Sequence, residues 1–160
     1  MAVTSVDKDF ENLTLAVTCD LTTSVDRAWE LWSDPRQLER WWGPPTYPAT
    51  VDRHDLTPGG VVTYHMTGPE GDEHHGWWQV KTVGAPRSLE ITDGFGETPG
   101  DPGDLPVATM RLDISERGDG VRMVVRTTFA STEAMERMLD MGMAEGMQEA
   151  MGQIEDVLAS

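Results

Sequence analysis

Asp34-Pro35-Arg36-Gln37-Leu38-Glu39-Arg40-Trp41-Trp42-Gly43-Pro44-Pro45 decides how the rest of the chain is read. An Asp side chain caps free helical amides, and Pro suits the first helical turn, so Asp34-Pro35 starts a short helix. Gly43-Pro44-Pro45 ends it. Neighbouring helical residues point about 100° apart, so Trp41 and Trp42 cannot share one narrow apolar stripe. One of them needs a second apolar surface. A helix and loop closing over the mouth of a cavity meets that need better than a helix lying flat on a finished core.

Upstream, Asn12 to Leu21 alternates apolar and polar residues, as in a half-buried strand. Thr23 and Ser24 offer caps for a helix whose Val25, Ala28, Trp29 and Trp32 lie on one face. Downstream, turn clusters at Thr57-Pro58-Gly59-Gly60, Gly68 to Asp72, Gly84 to Arg87 and Arg117 to Gly120 punctuate an antiparallel meander. Its strands are expected near 47–56, 61–67, 74–83, 88–95, 107–115 and 121–129, with an exposed loop over 96–106. A long helix follows from Ser131 or Thr132 to about Leu158, with an apolar stripe and an acidic opposite face. Residues 1–11 are expected to be disordered, and 12–160 to form one domain.

Composition narrows the partners. A formal charge of −16, with Lys8 and Lys81 the only lysines and the arginines scattered, argues against nucleic acid and anionic membranes. There is neither a long apolar run nor a signal-like start, so the expected location is the cytoplasm. The single Cys19 sits among alternating apolar residues and reads as a buried core thiol. His54, His65, His74 and His75 do not converge in threes, and no Cys-x-x-Cys or His-Glu-x-x-His spacing exists, so no metal is expected. No nucleotide-binding loop is present either, so no cofactor is expected. The oligomeric state is left as monomer or homodimer.

The hairpin turns propose a register. If Thr67 faces Glu73, then Met66 pairs with His74, Tyr64 with Gly76 and Val62 with Trp78. If Val83 faces Ser88, then Lys81 pairs with Glu90, Val80 with Ile91 and Trp78 with Asp93. One face then carries Val62, Tyr64, Met66, His74, Trp78, Val80, Ile91, Asp93 and Phe95, joined by Met110 and Met123 from the last hairpin. Tyr64, His74 and Asp93 are polar groups aimed inward. A buried Asp and a buried His both shift toward neutrality, so these three are candidate proton-transfer residues, although pocket polar groups more often orient a ligand. In the final helix Gly142 and Gly146 each cost about 1 kcal/mol relative to Ala. Either the helix backbone touches the sheet there, or space is left for something else. Met138, Met143, Met147 and Met151 surround that point.

This order of elements resembles the helix-grip architecture, an α+β fold. The chain is similar to the branch of the START-like (SRPBCC) superfamily named after the activator of heat-shock-protein ATPase. The residues carrying the resemblance are Val25-x-x-Ala28-Trp29-x-x-Trp32-x-Asp34-Pro35, Trp41-Trp42-Gly43-Pro44, Pro58-Gly59-Gly60 and Tyr64-x-Met66. Gly76-Trp77-Trp78, Asp93-Gly94-Phe95 and Met141-Gly142-Met143-x-Glu145-Gly146 complete the set. The resemblance implies a curved antiparallel sheet of about seven strands wrapped around a long C-terminal helix, with an apolar cavity between them. It implies binding of a small hydrophobic or aromatic ligand. The 96–106 loop is expected to be the mobile rim of the cavity. The expected ligand-binding residues are Trp42, Tyr64, Met66, His74, Trp78, Asp93, Phe95, Met110, Met123, Met138, Gly142, Met143 and Met147. Two alternatives stand beside it: an enzyme of cyclase or hydrolase type using Asp93, His74 and Tyr64, and a co-chaperone-like or regulatory interaction protein. Binding is the preferred reading of the three.

Overall fold

The computed structural model describes residues 3–101, 103 and 105–160. Eight antiparallel strands form one curved sheet: β1 (Val3–Asp9), β2 (Thr14–Leu21), β3 (Ala49–His54), β4 (Val61–Thr67), β5 (Glu73–Gly84), β6 (Ser88–Phe95), β7 (Ala108–Arg117) and β8 (Gly120–Phe129). Their spatial order is β1-β2-β8-β7-β6-β5-β4-β3. The chain therefore builds a hairpin at one edge, then a meander that returns to pair β8 with β2. The additional strand is β1, in the segment expected to be disordered. Its Val6 pairs with Val17 and Lys8 with Leu15, so a charged, weakly alternating stretch is ordered by a neighbour's backbone rather than by its own pattern.

Two short helices, α1 (Val25–Ser33) and α2 (Pro35–Trp41), follow β2. Ser24 accepts a hydrogen bond from the Arg27 amide at 3.1 Å, and Asp34 accepts from the Arg36 amide at 2.9 Å. Both caps are where the sequence places them. The C-terminal segment is one helix in the pattern but three in the structure: α3 (Thr132–Asp140), α4 (Met143–Met151) and α5 (Ile154–Ala159). Gly142 interrupts it with φ +88°, a left-handed conformation that glycine adopts without a side-chain clash. A second break falls at Gly152-Gln153. The apolar periodicity runs through both breaks because each piece lays its stripe on the same surface.

The register of β4 and β5 is as expected, with Met66 opposite His74, Tyr64 opposite Gly76 and Val62 opposite Trp78. In the next hairpin the turn is one residue tighter than expected. Gly84 faces Ser88 and Val83 faces Leu89, so Glu90 meets Thr82 rather than Lys81. A bulge between Val80 and Thr82 takes up the extra residue and restores Val80 to Ile91 and Trp78 to Asp93. Glu90 finds Arg111 on β7 instead, at 3.5 Å.

Two glycines admit aromatic rings across neighbouring strands. A Cβ on Gly76 would lie 2.3 Å from the Tyr64 hydroxyl, on the inner face. On the outer face a Cβ on Gly94 would lie 2.2 Å from Cζ2 of Trp77, whose indole N–H donates to the Phe95 carbonyl at 3.2 Å. Each ring covers a strand that has no side chain of its own at that point. We expect Gly94→Ala to force the buried Trp77 ring aside and to cost about 1–3 kcal/mol, measured by urea unfolding. Unchanged stability would mean that Trp77 swings away freely.

Candidate functional site

The core falls into two parts. The larger contains four tryptophans: Trp32, Trp41, Trp42 and Trp78. Trp32 and Trp41 meet edge to face at 4.8 Å between ring centres, and Trp42 and Trp78 do so at 4.9 Å. Trp42 also stands edge-on to Tyr64 at 6.0 Å. The adjacent pair therefore divides its work. Trp41 points back into the helices and donates to the Leu31 carbonyl at 3.0 Å. Trp42 points toward β4 and β5. The smaller part consists of Leu15, Phe129, Met135, Met138 and Ala144.

Between the two parts lies a cavity of about 280 Å³. Trp42, Tyr64, Met66 and Met147 line it from one side, and Phe95, Met138 and Met143 from the other. Asp93, Pro44, Met141, Gly142 and Gly146 complete the wall. Met141 is 60% exposed at the helix break. The space exists because α4 packs on β1 and β2 and α3 on β8, toward one half of the sheet. Over the other half the helices stand off. Gln153 fixes that stance: its side-chain amide donates to the Gly43 carbonyl at 2.7 Å, tying the α4–α5 junction to the turn after Trp42.

The two helix glycines serve different ends. No atom lies within 4 Å of a Cβ built on either, so neither is there for close helix–sheet contact. Gly142 is required by its left-handed backbone. Gly146 has ordinary helical geometry, and what its missing side chain leaves is cavity.

Nine of the thirteen residues expected to bind ligand line this space: Trp42, Tyr64, Met66, Asp93, Phe95, Met138, Gly142, Met143 and Met147. Trp78, Met110 and Met123 face inward but are buried beneath it, with the Trp32 indole N–H directed at the Met123 sulfur at 3.2 Å. His74 is a correction. It pairs with Met66 as expected, yet it sits at the end of the sheet beyond the covering helices. Its side chain is exposed and bonds Asp72 at 2.8 Å, against Tyr47. Strand parity gave the correct face but carried no information about where the cover stops. The acid–base set Asp93, His74 and Tyr64 is therefore not assembled. Nor do the described residues of the 96–106 loop form the rim. Positions 102 and 104 lie outside the described residues, no described member lines the cavity, and Gly100 lies over Gln79 on the outer face. Pro44 and Met141 belong to the wall but were not expected there. Their neighbours Trp42 and Gly142 in the sequence were the available signal.

Asp93 and Tyr64 are the perturbed titratable groups of the cavity wall. Burial pushes the Asp93 carboxyl up to about 7, and its Oδ1 has no hydrogen-bond partner. Burial, with the nearby Asp93 charge, also raises the Tyr64 phenol well above its ordinary value. The Trp42 indole N–H is near enough to oppose that rise, but the two groups do not meet with hydrogen-bond geometry, so Trp42 Nε1 is unpartnered as well. Elsewhere, His65 bonds Asp52 at 2.8 Å on the outer face, and His54 donates to the Trp32 carbonyl at 3.0 Å. Among the described residues no cluster of three or more His, Cys, Asp or Glu could hold a metal. No helix of the described chain is long and apolar enough to cross a membrane.

A carboxyl titrating near 7 when folded and near 4 when unfolded leaves the folded state holding the extra proton between those values. Its contribution to stability therefore falls as pH rises through that window and is fully unfavourable above it. Asp93→Asn should then gain stability over the native chain, by about 2 kcal/mol more at pH ~8 than at pH ~5.5. Urea unfolding of both proteins at the two pH values measures this. A pH-independent difference would show that Asp93 is ionised normally.

Comparison with known proteins agrees with this architecture. The family model described as "Activator of Hsp90 ATPase homolog 1-like protein" matches residues 22–159. A protein from Arthrobacter aurescens, solved by NMR in solution, is 47% identical, with a TM-score of 0.92 over 97% of this chain and 91% of its own. Protein Ms6760 from Mycobacterium smegmatis, a crystal structure, is 43% identical, with a TM-score of 0.88 over 98% of each chain. The AHSA1 protein from Silicibacter pomeroyi shares the fold at 21% identity and a TM-score of 0.72, over 91% of this chain and 97% of its own. No curated protein matches the chain. With most of its length covered by the family model, the chain belongs to the Activator of Hsp90 ATPase homolog 1-like family, of START-like fold.

Proposed function

We propose that this protein binds a small apolar or aromatic molecule in the cavity between the sheet and α3–α4. The observation that carries this reading is the open volume in front of Gly146, which divides the core in two. Protein interiors are packed to crystal-like density, and an unfilled space of this size forfeits dispersion contacts all along its wall. A cavity of about 150 Å³ is enough for benzene in another protein, so about 280 Å³ suits a molecule of about two rings. Five of the chain's ten methionines line it: Met66, Met138, Met141, Met143 and Met147. Their flexible, polarizable side chains adapt to varied apolar shapes and favour aromatic guests. The exposed Met141 and the half-buried Pro44 lie where a guest would enter.

Screening bicyclic aromatics and medium-chain lipids by thermal unfolding tests the proposal. A ligand at about a hundred times its Kd should raise Tm by roughly 5 °C or more, and Gly146→Leu, which fills the space, should abolish the shift. A shift that survives Gly146→Leu would locate binding elsewhere, and no shift across the panel would refute the reading.

The helix glycine makes a second expectation. Gly146→Ala should raise the stability of the ligand-free protein by up to about 1 kcal/mol, because a methyl there meets no neighbour and Ala favours helix. The same substitution should weaken binding of any ligand found above, as measured by calorimetry. Lower stability would mean that the space is not open.

A further inference from the structure

Among the described residues, sulfur atoms are graded by access, and the grade follows one cavity. Met141 is 60% exposed at the helix break, and Met66, Met143 and Met147 are half-buried. All four line the space between the sheet and α3–α4. Met138, the fifth methionine of that wall, is buried, as are Met110, Met123, Met135 and Met151 away from it. Cys19 is buried too, and burial pushes its thiol up to about 12, so it holds almost no reactive thiolate at neutral pH. An oxidant in solvent therefore finds accessible sulfur, among the described residues, at this cavity alone.

Hydrogen peroxide transfers one oxygen atom to a thioether. The sulfur lone pair attacks one peroxide oxygen, the O–O bond breaks and an S–O bond forms. The proton on the transferred oxygen passes to the departing hydroxide, which leaves as water. Sulfur is oxidised by two electrons and the peroxide is reduced by two. The sulfoxide product is polar, and its cost depends on where it forms. At Met141, already in solvent, the fold loses little. Met66 and Met147, however, pack against the tryptophan core, and Met143 against the smaller one. Their sulfoxide oxygens need hydrogen bonds that an apolar wall does not supply, so they draw water in or swing outward. Either outcome removes the apolar contacts that these side chains give the two cores.

We propose that the cavity wall is a peroxide-reactive methionine site, with Met141 the first to react and Met66, Met143 and Met147 the residues through which oxidation loosens the fold. A sulfoxide reductase would reverse it, the oxygen leaving as water while two thiols become a disulfide. The proposal uses the open cavity but needs no guest, so it and the ligand reading can fail separately.

Timed exposure of the ligand-free protein to dilute hydrogen peroxide, with peptide mass spectrometry and urea unfolding of each sample, tests it. Met141 should oxidise first, then Met66, Met143 and Met147, all at least about tenfold faster than Met110, Met123 and Met151. The urea midpoint should hold while Met141 alone is modified and fall as the other three convert. A variant carrying Met66→Leu, Met143→Leu and Met147→Leu, which conserve volume, should keep its midpoint through the same exposure. Circular dichroism checks that it folds; if it does not, the timed native samples decide alone. Buried methionines that react as fast as the wall would overturn the proposal, since the oxidant would then enter by unfolding. So would Met66, Met143 and Met147 staying unmodified after Met141 has converted, or converting with no change in midpoint. An equal fall in the leucine variant would place the damage elsewhere and overturn it as well.

Discussion

The aromatic wedge of Trp32, Trp41, Trp42 and Trp78 is the interaction on which the architecture depends. It fills one end of the concave sheet with rigid rings and holds the α2 terminus above β4 and β5. Gln153 then ties the C-terminal helices to the turn that follows the wedge. With that end fixed, α3 and α4 lean toward β1, β2 and β8, and they cannot also close on β4–β6. The cavity is thus a geometric consequence of two supports at different places, kept open by a glycine at a helical position, between Met143 and Met147, where a larger side chain would fill it.

This arrangement puts unlike demands on one surface. Apolar packing favours collapse, yet the wall includes Asp93, whose ionised form is disfavoured by burial, and a Trp42 N–H with nothing to bond. Neither helps the empty protein fold. Groups that cost stability and face a shared space are those expected where a protein has a guest to hold.

Much of this was legible in the chain. The Asp34-Pro35 cap, the Trp41-Trp42 divergence and the β4–β5 register follow from local geometry, and each is found where it was expected. So is most of the cavity wall, because period-two alternation and the paired helix glycines select one face of each element. The failures share a cause. Ordering of β1 depends on backbone pairing, the bulge beside Lys81 on how a tight turn is accommodated, and the exposure of His74 on where covering helices end. All are set by partners distant in sequence, and side-chain pattern does not report them. The helix break at Gly142 was in principle readable. A glycine inside an apolar stripe has more than one meaning, however, and only the backbone angle separates a turn from a gap.

The most direct test of the central claim is xenon binding in crystals of the ligand-free protein under pressure. Xenon seeks apolar space without hydrogen-bonding requirements, so it reports the hollow independently of any guest's chemistry. The account predicts anomalous density among Met66, Met147 and Gly146. Crystals with no xenon there, and with methionine side chains collapsed into the space, would contradict it.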